Sequence, residues 1–229
     1  MSSASFNFEL NFVAFLDLLG FSYMVKHDCE SANSIDFLKK LFNSYKITKD
    51  LKVTNPSFDL MQFSDSIVFS MPYLKENFLI FIKIISSFQY DLFKQGLTCR
   101  GGVAYGKHFS KDGFVFSNGL IEAYKLEMEH AKYPRILVSN DLLDLIYIES
   151  EFHEIPLLRE DDDEVFIDYF DNNDPYEIKR HLEHILDNVP PVTPSLREKR
   201  KWMKEYFDFK MDQSGLAIHK FGSPKFSRF

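Results

Sequence analysis

Residues 10–16 (LNFVAFL) are β-prone and almost wholly apolar, the pattern of a strand buried on both faces, and the run ends on a carboxylate, Asp17. In a strand Asp17 shares a face with Val13 and Phe15. An acid in that place is costly unless a cation or hydrogen bonds compensate it. Two readings stand side by side. Asp17 either bonds to the next turn or helix start, or it is a metal ligand at a strand's end beside the flexible Gly20.

The segments that follow alternate in period. Ile35, Leu38, Leu41, Phe42 and Tyr45 recur at helical spacing and predict a helix over 34–51. Residues 57–63 and 66–71 are short β-like runs that meet in a tight hairpin at Ser64-Asp65. A second helix is expected over 77–95, stopped by Gly96, then a strand over 97–105 containing Gly101-Gly102 and a short strand at 113–116. The order β-α-β-β-α-β predicts an α+β fold, the split βαβ (ferredoxin-like) arrangement of one antiparallel sheet with helices on one face. A helix at 119–132, a strand at 135–139 and a helix at 141–148 extend it.

Beyond Glu149 the reading is an acidic loop, a strand at 164–170, a helix at 175–188, the break VPPVTP at 189–194 and a basic helix around 199–206. Two parts are therefore expected: a core over 1–148, and a C-terminal extension of loop, strand and helices over 149–229, packed on it. Charge follows the same division. The chain of 229 residues has a formal net charge of −7, yet residues 149–187 hold 14 acids against 3 bases, so the remainder is net positive. The total argues against a surface that binds nucleic acid through bulk positive charge. With 25 Phe residues, a bulky core and an apolar interface are expected. Cys29 and Cys99 are too few for a disulfide framework. With no basic n-region before an apolar stretch at the start and no run able to span a bilayer, a soluble cytoplasmic protein, not engaging a membrane, is expected.

Ser64-Asp65-Ser66 is good turn chemistry by itself. In a split βαβ sheet, however, the first strand lies beside the hairpin, so Asp17 and Asp65 can converge at one end. Two carboxylates there make an oxygen-rich cradle for divalent cations of the kind used in phosphoryl transfer.

The residues then carry a resemblance. VAFLDLLGFS (13–22) resembles the first metal motif of the class III nucleotidyl cyclases, and FSDSIVFS (63–70) their second metal Asp at a hairpin tip. RGGVAYG (100–106), GLIEAYKLE (119–127) and RILVS (135–139) resemble, in order, their Arg-x-Gly strand, the helix of their Asn-x-x-x-Arg pair and the strand after it. The departures matter. Met61 stands where the family has its adenine-reading Lys, the partner acid falls near Phe114, and Ile121 and Lys125 stand at the catalytic Asn and Arg. Loss of the polar purine readers leaves a purine edge facing apolar surface. In its combination of LDLLGFS, SDSIVFS, RGG and EAYKLE the chain more closely resembles the small bacterial anti-phage Pycsar cyclases, which make cyclic CMP or cyclic UMP for a separate effector.

The resemblance implies a catalytic role for Asp17, Asp65 and Lys125, with two Mn²⁺ or Mg²⁺ ions held by Asp17, Asp65 and the Leu18 carbonyl. It places the triphosphate on the backbone of Leu19, Gly20, Phe21 and Ser22, and the base near Met61 and Arg100. For Arg100 a strand-edge ion pair is an equal reading. It further implies a homodimer with sites at the interface, and CTP or UTP as substrate. An adenylate or guanylate cyclase with an altered base pocket, or a catalytically inactive nucleotide-binding module of the same fold, are the alternatives.

Two other signals are set aside. Gly101–Lys107 spells G-x-x-x-x-G-K, but His108 replaces the Ser or Thr of a phosphate loop. Glu160–Glu164 lacks the alternation and Gly of a calcium loop and is expected to be a solvated loop.

Overall fold

The computed structural model describes residues 8–31, 35–54, 57–147, 155–189, 192–212 and 226–228. The apolar run becomes β1 (Glu9–Leu18), which pairs antiparallel with β3 (Ser66–Pro72) on one side and β4 (Cys99–Lys111) on the other. β2 (Asp59–Phe63) pairs antiparallel with β3. With α2 (Asp36–Thr54) before the hairpin and α3 (Lys75–Lys94) after it, the strand order β2-β3-β1-β4 is the split βαβ arrangement. The fold is α+β, as the element order predicts. α1 (Phe21–Glu30) follows β1 after the two residues Leu19 and Gly20.

The sheet does not end at β4. It continues through β6 (Ile136–Val138), β8 (Val165–Ile167), β7 (Leu157–Glu160) and β9 (Phe226–Arg228), while β5 (Phe114–Ser117) pairs back on β4. Only β4 and β6 pair in parallel among the described strands. The single strand expected at 164–170 is instead the second arm of a hairpin, β7–β8, in the same sheet as β1. The tract expected as a loop thus supplies a strand, because Leu157 and Leu158 are buried while Arg159 is half-buried between them and Glu160.

Alternation sets the two faces of β1. Phe12, Ala14, Leu16 and Leu18 join Phe78, Phe81, Ile82 and Ile85 of α3 in the main core. On the opposite face, α4 (Asn118–His130) lies over Val13 and Phe15, with the Phe15 and Tyr124 rings edge-on at 5.2 Å. The expectation of helices on one face is therefore corrected. α4 reaches the other face because β4 is bare there: a methyl on Gly102 would overlap the Ala123 carbonyl oxygen, and one on Gly106 would lie 2.7 Å from the Gly119 nitrogen.

α5 (Asn140–Tyr147) completes the first part; Ile148, the expected end of that helix, lies outside the described residues, as do Glu149, Pro190 and Pro191. α6 (Pro175–Asn188) begins where expected, capped by Asp174, whose carboxylate accepts from the N–H groups of Tyr176 and Glu177. α7 (Pro194–Met211) is longer than the basic helix expected, and its apolar stripe packs on the body: Trp202, Met203, Tyr206 and Phe207 are buried with Phe166 and Phe226 in a second core. Behind them Arg135 is 1% exposed and pairs with Glu160 and Asp162, and Trp202 Nε1 donates to Glu160 at 2.8 Å. The 160–164 acids are thus partly structural, not simply solvated. No described helix is long and apolar enough to cross a membrane.

Candidate functional site

Asp17 sits one residue before the end of β1, opposite Ser66 of β3 and Arg100 of β4. The Ser64-Asp65 turn joins β2 to β3, with Ser64 at φ 58°, a left-handed backbone that a short polar residue tolerates. The turn is tied to β1 by the Leu18 N–H, which donates to the Asp65 carbonyl at 3.0 Å. Both acids therefore lie at the same end of the sheet, and Asp65's charge acts on the Asp17 carboxyl.

Arg100 is the local cation. Its Nε donates to Asp17 Oδ2 at 3.2 Å and also lies 2.7 Å from Glu127 Oε1, and Nη1 donates to the Ala131 carbonyl at 3.3 Å. Burial pushes the Asp17 carboxyl above the ordinary range; Arg100 opposes this and Asp65 adds to it. Burial likewise raises Glu127, with Arg100 opposing and Asp17 and Asp65 adding. Two acids, Asp17 and Glu127, share one guanidinium, with the Asp65 charge close enough to act on both.

The other expected residues divide. Leu19 donates its N–H to the Thr98 carbonyl at 2.9 Å, so that donor is already committed. Gly20, at φ 82°, precedes α1 without a side-chain cap, and its carbonyl accepts from Met24. The N–H groups of Phe21 and Ser22 fall in the first helical turn, ahead of any intrahelical acceptor. Phe21 packs against the main core and Ser22 is exposed. Lys125 is exposed on α4, its Nζ 3.1 Å from Glu122. Met61 is half-buried on β2, opposite Val68. The residues 101–107 that spell a phosphate loop are extended strand.

Glu127 was missed by sequence. The available signal is the buried stripe of α4: Gly119, Ala123 and Glu127 recur every four residues, which turns the acid inward. Lys199 of α7 is half-buried, and burial and then the Arg100 charge hold its ammonium below the usual lysine range.

Asp17 and Asp65 carboxylates with the Leu18 carbonyl are hard oxygen donors of the type that suits Mg²⁺ or Mn²⁺. Among the described residues no group of three or more His, Cys, Asp or Glu is disposed to hold a metal. By donor chemistry the set suits a hard cation, and the cation beside Asp17 in this structure is Arg100, which offsets the cost of burial and of the Asp65 charge.

No family model and no curated protein matches the chain. Among solved structures it is similar to the adenylyl cyclase CyaB from P. aeruginosa, at 15% identity over 71% of this chain and 94% of that one, with a TM-score of 0.49. The guanylyl cyclase Cya2 follows at 12% identity over 71% and 92%, TM-score 0.44. A bacterial light-regulated adenylyl cyclase has 12% identity over 82% of this chain and 60% of that one, TM-score 0.45. At such scores the chemistry must be read from this chain's own side chains.

Proposed function

We propose that the protein is a nucleotidyl cyclase that converts CTP or UTP to the 3′,5′-cyclic monophosphate and diphosphate. The observation that carries this is the meeting of Asp17 and Asp65 at one sheet end, tied by the Leu18-to-Asp65 hydrogen bond. The ordered motifs that resemble class III cyclases, and the apolar Met61 in place of a purine-reading Lys, support it.

In the reaction the ribose 3′-oxygen bonds to the α-phosphorus, the α–β phosphoanhydride P–O bond breaks, diphosphate leaves and the 3′ proton passes to solvent. Bound Mn²⁺ or Mg²⁺ would supply Lewis-acid activation of the 3′-hydroxyl and neutralisation of the diphosphate. Asp17, Asp65 and the Leu18 carbonyl would hold the ions. The first-turn N–H groups of α1 would receive phosphate oxygens. Lys125 would place a point charge at the α-phosphate. Exposed Ile121, Tyr124 and Met128 on α4, with Phe116 on β5, support a homodimer with the sites at its interface. The product would act on a separate effector protein in anti-phage defence, in the cytoplasm.

The test is incubation of the purified protein with Mn²⁺ and each of the four ribonucleoside triphosphates singly, with products resolved by chromatography. Cyclic CMP or cyclic UMP is expected. Cyclic AMP or GMP alone would instead indicate the purine-specific reading, and no product from any triphosphate the inactive binding module.

A further inference from the structure

Arg100 has one Nε–H and two carboxylates in front of it. Its hydrogen is directed at Asp17 Oδ2, although Glu127 Oε1 lies closer, at 2.7 Å against 3.2 Å. That Glu127 oxygen is buried and receives no hydrogen bond. The two acids also differ in access: the Glu127 side chain is 4% exposed and that of Asp17 23%. A buried carboxylate with an unfilled lone pair is a costly arrangement, and here the missing donor is already in place and merely turned away.

Glu127 cannot move far to improve this. It belongs to the α4 stripe that lies against the glycines of β4, where a methyl on Gly102 would come 3.2 Å from the Glu127 nitrogen. Arg100 has more room: its side chain is 30% exposed, and Nη1 is held by the Ala131 carbonyl at the C-terminal end of the same helix. A small rotation of the guanidinium about that anchor would turn the Nε–H from Asp17 toward Glu127.

We propose that Glu127 is a positioning residue which takes the Arg100 guanidinium from Asp17 when a divalent cation arrives, so that Arg100 is a displaceable internal cation. The proposal rests on Asp17 being a cation ligand. In the empty site Arg100 limits the repulsion among Asp17, Asp65 and Glu127. In the loaded site Glu127 retains Arg100, the hydrogen bond it lacks is made, and Asp17 is freed.

The experiment is Mn²⁺ titration followed by electron paramagnetic resonance of the free ion, on the full chain without nucleotide. Glu127→Gln should weaken Mn²⁺ binding about tenfold, the scale seen when a group supporting a metal ligand is lost. Arg100→Gln should tighten binding. In the Arg100→Gln background, adding Glu127→Gln should change the dissociation constant by less than about twofold, because the competitor is gone. Equal weakening by Glu127→Gln in both backgrounds would overturn the proposal, since Glu127 would then act only as a nearby negative charge. So would wild-type affinity in the Glu127→Gln protein. If that variant does not fold, Glu127→Asp, which draws the carboxylate back from Arg100, replaces it in the same comparison. Unchanged Mn²⁺ affinity in Asp17→Asn would overturn the metal reading itself; loss there, with equal penalties in the two backgrounds, overturns the exchange alone.

Discussion

Arg100 and Asp17 stand opposite one another on neighbouring strands, Nε 3.2 Å from Oδ2, so the acid that interrupts an apolar strand is compensated from within the sheet. The pair is part-exposed and each member has another neighbour, so its contribution to folding is small. Asp17→Asn should change the unfolding free energy by about 1 kcal/mol or less, as partly solvated pairs do. The same variant, and Asp65→Asn, should abolish the proposed Mn²⁺-dependent cyclisation. Urea denaturation beside the product assay separates the two effects.

Gly102 should not tolerate even a methyl. Its outward face is filled by the Ala123 carbonyl, which is helix backbone and cannot rotate away. Gly102→Ala should cost about 3 kcal/mol, the upper part of the range for overpacking. Gly113→Ala is the control: nothing lies within 4 Å there, and only the positive φ of 82° opposes it. Its cost should be about 1 kcal/mol. Chemical denaturation of the two variants measures the difference.

Arg135→Met should be among the most damaging single changes. Arg135 is 1% exposed and bridges Glu160 and Asp162, taking the two Asp162 oxygens with separate nitrogens. Removing one side of a buried pair costs about 3–5 kcal/mol, because the other charge stays behind. Arg135→Lys should recover little of it, since an ammonium cannot make the forked contact. Thermal unfolding of both variants gives the comparison.

The thiols should react unequally. Cys29 is exposed, whereas Cys99 is buried and its thiol is pushed far up by burial, with Asp17's charge adding. A thiol reagent should therefore modify one cysteine in the native protein and two after denaturation. Mass spectrometry of the modified chain would identify Cys29 as the native site.

His108 sets a sign for pH. Burial holds its pKa below the ordinary value, with Asp59 opposing, and both ring nitrogens are buried without a hydrogen bond. The folded state thus binds this proton less readily than the unfolded state. Its contribution is full above the unfolded value near 6.5 and declines as pH falls below it, until the folded pKa is reached. His108→Leu should lose less stability than the wild type between neutral pH and pH 5.5, measured by urea unfolding across that interval.

Local signals and the split βαβ order were legible in the sequence, and the pairing of the C-terminal strands was not. The hairpin at Ser64-Asp65 and the Asp174-Pro175 helix start are each specified by adjacent residues, and both stand where expected. β7 and β9 are short strands that exist by pairing with each other, and β7 with β8, so nothing within Leu157–Glu160 or Phe226–Arg228 announces them. The convergence of Asp17 and Asp65 followed from the element order. The place of Glu127 did not, because the stripe of Gly119, Ala123 and Glu127 marks an inward face only once α4 is known to cover the second face of the sheet.

β1 is paired on both edges and covered on both faces, so its middle amides should open only when the whole molecule does. Hydrogen exchange at residues 12–16 would then report global unfolding, while the turn bearing Asp65 and the start of α1 exchange by smaller fluctuations. The two acids would sit on opposite sides of that divide, one on the most protected strand and one on a surface turn. Control of activity without loss of fold would accordingly have to act on the Asp65 side.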